Sequence, residues 1–218
     1  MERSKIELFR SDIMIVIIDY GMGNLGSILN MLKKIGADAK ISSELSDVIS
    51  AYKLILPGVG AFDEGMRKLM ESELLQALNK KILEEKCPVL GICLGMQLLT
   101  RCSEEGGLAG LGWIDAETRR FKFDEEETAH LKIPHMGWNE VNPTGDSRLF
   151  FGFEQLPRFY FVHSYHVCCK NREDILATSF YGYEFTAAVG KENIMGTQFH
   201  PEKSHHYGMH LLRNFANL

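Results

Sequence analysis

No stretch of the 218-residue sequence is apolar for long enough to cross a membrane, and no basic run offsets the net charge of −5 to offer a nucleic-acid surface. Internal repeats, low-complexity tracts and linker-like segments are also missing, so a single domain is expected. Cysteines are few and odd in number, at positions 87, 93, 102, 168 and 169, and none has the paired C-x-x-C spacing of a metal site. With no signal peptide at the start, that usage predicts a reducing, cytoplasmic location. What is present is an ordinary globular composition, 45% hydrophobic and 24% charged, on a chain long enough to bury a real core.

The organising stretch is CPVLGICLGMQLL, residues 87–99. Residues 89–92 read as a short buried strand, and Leu94 onward reads as a helix with Leu98 and Leu99 inward. Between them lies G-x-C-x-G, the cysteine form of the strand–turn–helix nucleophile elbow. A Cβ at Gly91 or Gly95 would crowd so tight a turn. The sulfur of Cys93 is left near a helix N-terminus, which favours thiolate over thiol. The competing reading is a buried core cysteine.

Residues 13–18 (IMIVII) have the continuous apolar character of a strand buried on both faces. The folded pattern starts there, so residues 1–12, polar and mixed in charge, are read as an extension and residues 13–218 as the domain. Gly21, Gly23 and Gly26 satisfy G-x-G-x-x-G before a helix at 27–35, with Glu44 as a possible ribose ligand. A lone fingerprint is weak and Glu44 sits among serines, so a glycine-permitted turn is the preferred reading. Residues 37–41 and 53–56 suggest two further strands. The second ends in PGVGAF (57–62), at the edge where parallel sheets place ligands, and its glycines can turn N–H groups outward. Residues 63–86 read as helix in two pieces, with Met66, Leu69, Met70, Leu74, Leu78 and Ile82 inward.

After Arg101 the pattern turns antiparallel. RRFKF (119–123) alternates like a strand, residues 124–127 read as a charged hairpin tip, and IPHMGWN (133–139) reads as a rigid loop. Strands are expected at 159–162, 175–180, 185–189 and 193–199, and a helix over 206–215. The predicted fold is α/β: a mostly parallel central sheet, helices on both faces, and antiparallel strands in the second half.

An elbow cysteine needs a base, and the base an orienting group. His200, Pro201 and Glu202 supply both at a strand end, the carboxylate two residues from the imidazole. His163 and His135 are rival bases without an adjacent carboxylate. His206 and His210 have i,i+4 spacing, but no third ligand joins them, and they read as a solvated helix face.

Together, GICLGMQ (91–97) and HPE (200–202) resemble the class I, or triad, glutamine amidotransferases. The stretches IDYGMGNL (18–25), PGVGAF (57–62), PHMGWN (134–139) and FVHSY (161–165) resemble the branch of glutaminase subunits that serve histidine biosynthesis. The resemblance assigns residues 21–26 to the family's opening motif, not to a dinucleotide site. It implies a type 1 glutamine amidotransferase domain over residues 13–218, with Cys93 as nucleophile, His200 as acid and base, and Glu202 as orienter. The oxyanion would be met by Leu94 N–H and the backbone of Gly58, Val59 and Gly60, a segment that must reorient for activity. Gln97, Ser164 and Tyr165 would hold glutamine. No metal, flavin or nucleotide cofactor is required. Ammonia would pass to a cyclase subunit, a (β/α)₈ barrel, in a heterodimer, with Trp138 and Tyr160 as interface anchors. The alternatives are a paralogous glutaminase serving another synthase, a catalytically silent gating subunit, and a free γ-glutamyl hydrolase, the last disfavoured by the PHMGWN stretch.

Overall fold

The computed structural model describes residues 14–123, 128 and 130–218. The extension expected at 1–12 and the hairpin tip expected at 124–127 lie outside the described residues. The first half runs β1 (Ile15–Ile18), α1 (Leu25–Lys34), β2 (Ala39–Ser42), α2 (Leu45–Ser50), β3 (Lys53–Gly58), α3 (Phe62–Glu71), α4 (Leu74–Asn79), β4 (Val89–Cys93) and α5 (Leu94–Leu98). The second half opens with β5 (Cys102–Ser103), β6 (Ala116–Arg120), β7 (His135–Glu140), β8 (Asn142–Pro143) and β9 (Arg158–His163). It closes with β10 (Tyr165–Cys169), β11 (Ile175–Tyr181), β12 (Tyr183–Lys191), β13 (Ile194–Thr197) and α6 (His205–Ala216).

The main sheet runs in the order β2-β1-β3-β4-β13-β12-β10-β6-β5, with β11 branching from β12 and carrying β8. From β2 to β13 every pairing is parallel; β12 then pairs antiparallel with β13, β10 and β11. Every residue of β1, β3 and β4 is buried, as the apolar runs in them demand, and buried Lys53 at the start of β3 donates through Nζ to the Ala216 carbonyl at 2.8 Å. Alternate side chains serve opposite faces. Val16, Ile18, Leu54, Leu56 and Val89 join Val48, Phe62, Met66, Leu69, Leu78 and Leu98, which come from α2 to α5. Ile15, Ile17, Ile55, Leu90 and Ile92 join Ile28 and Leu32 of α1 and Leu211, Leu212 and Phe215 of α6. Each such side chain, fully buried, contributes about 1.5–3 kcal/mol. Helices therefore cover both faces of the parallel part.

Several boundaries differ from the sequence expectation. The strand at 53–56 continues through Pro57 to Gly58, because Gly58 pairs with Cys93. The helix expected over 63–86 falls into three pieces: α3, α4 and a π-helical turn, Lys80–Glu84. Met70, expected inward, is exposed. Residues 133–139 are not a loop: His135–Glu140 is β7, antiparallel to β9 over six residue pairs in a separate two-stranded sheet. The strand expected at 119–123 lies earlier, as β6, and its place beside Ser164 is kept by one bond from Phe121 N–H to the Ser164 carbonyl at 3.1 Å.

Candidate active site

Strand β4 lies between β3 and β13 and is parallel to both, with Cys93 opposite Gly58 and Ile92 opposite Thr197. Parallel register brings three carboxyl ends to one edge of the sheet: the Gly58 segment, Cys93, and the chain leading to His200. There they line a cavity of about 300 Å³, with Val59, Gly60, Leu94, Gln97, Glu105, Pro134 and Val162 to Tyr165 completing the wall. That volume suits an amino acid better than a dinucleotide.

Cys93 is the last residue of β4 and the cap of α5, with φ +55° and ψ −109°. A non-glycine residue held there is strained, the mark of a nucleophile elbow. The sulfur stands at the N-terminus of α5, as the sequence suggested; Cys93 is 7% exposed and reached through the cavity. His200 and Glu202 are buried, and Nδ1–H of His200 donates to Glu202 Oε1 at 2.8 Å. The carboxylate fixes the tautomer, leaving Nε2 on the cavity side with no completed hydrogen bond among the described residues. Burial opposes protonation of His200, but Cys93 and then Glu202 outweigh it, raising its pKa to about 10. Cys93 and Glu202 thus favour the protonated form of the base.

The backbone around His200 is clamped by Tyr160, whose carbonyl accepts from His200 N–H at 2.9 Å. Ser204 adds a second tie, its Oγ donating to the His200 carbonyl at 2.6 Å and meeting Tyr160 N–H at 3.0 Å. Tyr160 faces Trp138 across β7 and β9, and Trp138, 40% exposed, stacks flat on His205 at 5.4 Å. Met136, Trp138 and Glu140 alternate on the open side of β7.

His163, one of the rival bases, lines the cavity but is disarmed by its neighbours. Its Nδ1 lies 2.7 Å from the Tyr165 carbonyl, which can only accept, so that nitrogen carries the proton. Nε2 of a neutral His163 must then accept from His135 Nδ1 at 3.0 Å, and His135 Nε2 accepts from Asn139 Nδ2 at 3.3 Å. The chain runs one way, from Asn139 through two neutral imidazoles to Tyr165. Burial pushes the pKa down to about 4 for His135, about 3 for His163 and about 4 for His166. His210, expected in solvent, instead bonds the Phe151 carbonyl through Nε2 at 2.9 Å and stacks on Phe153.

These histidines set a pH optimum for stability. Below about 6.5 the unfolded chain gains protons that folded His135, His163 and His166 refuse, so stability falls with acid. Each adds a slope of about 1.4 kcal/mol per pH unit down to its folded value. His200 works in the opposite sense: its contribution is complete below about 6.5 and is lost as pH rises through about 10. Urea midpoints measured from pH 4.5 to 9.5 are expected to peak near pH 7 and fall on both sides. A flat profile between pH 7 and 5 would contradict the neutral-histidine assignment.

Three lining or supporting groups escaped the sequence reading. Glu105 comes from a glycine-rich loop and accepts from Phe62 N–H through Oε2 at 2.9 Å. The Tyr20 hydroxyl donates to the Pro57 carbonyl at 2.6 Å, fixing one peptide of the expected oxyanion segment. Gln198 is fully buried, with Nε2 3.9 Å from the Cys93 sulfur and Oε1 3.1 Å from Gln97 Nε2. Alternation would have found Gln198, since it stands two residues before His200 in extended chain. Nothing in the sequence marked Glu105 or the role of Tyr20. Of the glutamine-binding candidates, Gln97, Ser164 and Tyr165 all line the cavity. The Tyr165 carbonyl is already committed, to His163 and to Gln97 Nε2 at 3.2 Å. Gly21 and Gly23 take positive φ in the turn before α1, as the glycine-turn reading requires.

The family described as glutamine amidotransferase class-I matches residues 16–218. The chain is 56% identical over 202 residues to imidazole glycerol phosphate synthase subunit HisH 2 of Methanococcus maripaludis, covering 93% of this chain and 98% of that one. It is 51% identical over 205 residues to subunit HisH 2 of Pseudomonas aeruginosa, covering 94% and 100%. The PurLQS structure from Thermotoga maritima superposes with a TM-score of 0.70 at 16% identity, covering 94% of this chain and 98% of that one. A glutamine amidotransferase crystal structure gives 0.69 at 18%, covering 93% and 99%. At such identities these two structures speak for the fold alone. Among the described residues no helix is long and apolar enough to span a membrane.

Proposed function

This chain belongs to the class I glutamine amidotransferases and is a glutaminase subunit of an imidazole glycerol phosphate synthase, in histidine biosynthesis; from that premise we propose how its residues divide the work. The observation that carries the assignment of roles is the convergence of Cys93, His200 and buried Glu202 at one sheet edge, around a cavity of amino-acid size.

Cys93 thiolate attacks the side-chain amide carbon of glutamine. The oxyanion is met by Leu94 N–H and by a backbone N–H of the Gly58, Val59 and Gly60 segment. Imidazolium His200 gives its Nε2 proton to the departing nitrogen, so ammonia leaves and a γ-glutamyl thioester remains. The now neutral imidazole takes a proton from water, whose oxygen attacks the thioester; glutamate leaves and the thiolate is restored. Glu202 holds Nδ1–H throughout. Gln97, Ser164 and Tyr165 hold glutamine, and the second oxygen of Glu105 is placed to meet its ammonium group. Ammonia passes in the cytoplasm to a cyclase subunit with a (β/α)₈ barrel, which docks against Trp138 and Tyr160. The residues of the domain run from 13 to 218, with 1–12 as an appendage.

The test is glutamate release from glutamine, with and without the organism's own cyclase subunit and its nucleotide ligand. Stimulation by the loaded partner of at least about a hundredfold, some 2.7 kcal/mol, is expected if docking completes the oxyanion site. Binding without stimulation would overturn the gating. Absence of binding would mean that this chain serves a different synthase.

A further inference from the structure

Two glutamine side chains run in series from the cavity wall, where Gln97 stands, to the flank of the Cys93 sulfur, and one carbonyl orients both. Tyr165 O can only accept, so the Gln97 amide must turn Nε2 toward it, at 3.2 Å. The same nitrogen reaches Gln198 Oε1 at 3.1 Å. With its oxygen so occupied, the Gln198 amide has no choice of flip: Nε2 faces the Cys93 sulfur at 3.9 Å, the long end of an N–H···S contact. Gln97 itself lines the cavity, and its side-chain oxygen has no donor among the described residues. Gln198 itself is fully buried and lies in the same extended segment as His200, its own N–H bonded to the Ala187 carbonyl at 2.8 Å.

We propose that Gln198 is a positioning residue for the glutaminase reaction, tying the Cys93 sulfur to the residue that meets the substrate. The inference rests on the glutaminase reading above and adds a role to it. Its donor supports negative charge on the sulfur, and its direction is set by Gln97. The state of the substrate-side amide is thereby felt at the nucleophile across one intervening side chain. A hydrogen bond to a charged acceptor is strong enough for its loss to register as a rate.

The experiment uses Gln198→Met, Gln97→Met and the double variant in the full-length chain. Alkylation of Cys93 by iodoacetamide is followed by mass on the peptide that carries residue 93. Glutamate release is measured with the loaded cyclase subunit bound. Gln198→Met is expected to alkylate about tenfold more slowly at pH 7. It should lose kcat in the same proportion, with KM moved less than about threefold, since Tyr165 still anchors Gln97. Gln97→Met should raise KM and also slow alkylation, because Gln198 is then free to flip. The double variant should alkylate no more slowly than Gln198→Met alone, the non-additivity of residues acting in series. Wild-type alkylation in folded Gln198→Met, or additive effects in the double variant, would overturn the proposal. Should Gln198→Met not fold, alkylation of Gln97→Met at the wild-type rate would do the same. If the wild-type complex releases no glutamate, the glutaminase reading fails, and alkylation still judges Gln198.

Discussion

Cys93→Ala is expected to cut glutamate release by the complex at least about 10⁴-fold while leaving the fold and partner binding intact. The thioester route needs a polarizable anion at this position, and none of the neighbouring groups can replace it: His163 is held neutral by burial, and Gln198 and Gln97 carry no nucleophile. Packing should change little, since only one sulfur atom is removed and alanine bears the same Cβ at φ +55°, and stability should fall only by what Cys93 contributes to holding the proton on His200. The check is glutamate release together with a thermal midpoint and a binding measurement on the same preparation. Activity within a hundredfold of wild type, in protein shown free of Cys93, would remove the covalent mechanism.

Gly95→Ala should be the most disruptive single methyl group that can be added to the elbow. Its Cβ would lie 1.8 Å from the Leu56 carbonyl oxygen and 2.9 Å from the Leu56 carbon. That oxygen belongs to β3, buried on both faces between β1 and β4, so neither side can yield without parting the parallel sheet. Overpacking against backbone of this kind costs about 3 kcal/mol or more. Gly26→Ala is the control: it sits in α1 with nothing within 4 Å of the added carbon, and should stabilise by about 0.5–1 kcal/mol through helix propensity. Urea midpoints of the two variants are expected to move in opposite directions. A Gly95→Ala protein as stable as wild type would show that α5 does not rest on β3 as described. An unchanged glutaminase in Gly26→Ala would also fit a turn without a pyrophosphate to bind.

The parts of the fold legible in the sequence are those where local pattern and tertiary burial agree. Runs such as 15–18, 54–56 and 89–92 are apolar throughout because each strand is covered on both faces, and each lies within a strand expected from the sequence. The elbow and the His200–Glu202 pair were legible because their chemistry is local: glycines at fixed offsets, and a carboxylate two residues from its imidazole. Strand β7 was hidden because its pattern is inverted. It buries His135 and exposes Met136 and Trp138, so a hydrophobicity alternation points the wrong way. Helix α2 was missed because only Val48 of its six residues is buried, leaving no stripe to read. The demotion of His163 from rival base to a link in a neutral chain depends on His135, 28 positions away, and on the Tyr165 carbonyl. Tyr20 and Glu105 depend on loops closing over strands far off in sequence, which no local window contains.

The seam between β4 and β13 has a consequence for the making of the protein. Cys93 and its buried neighbour Gln198 are separated by 105 positions, and the base follows two residues later. During synthesis the elbow strand leaves the ribosome well before β13 exists, so the growing chain carries a cysteine with no imidazolium beside it. The pair is assembled only when the last strand slides in between β4 and β12 and α6 closes over it. Chains that stop short of β13 therefore carry the nucleophile without its base, and folding of this sheet edge is what brings the two together.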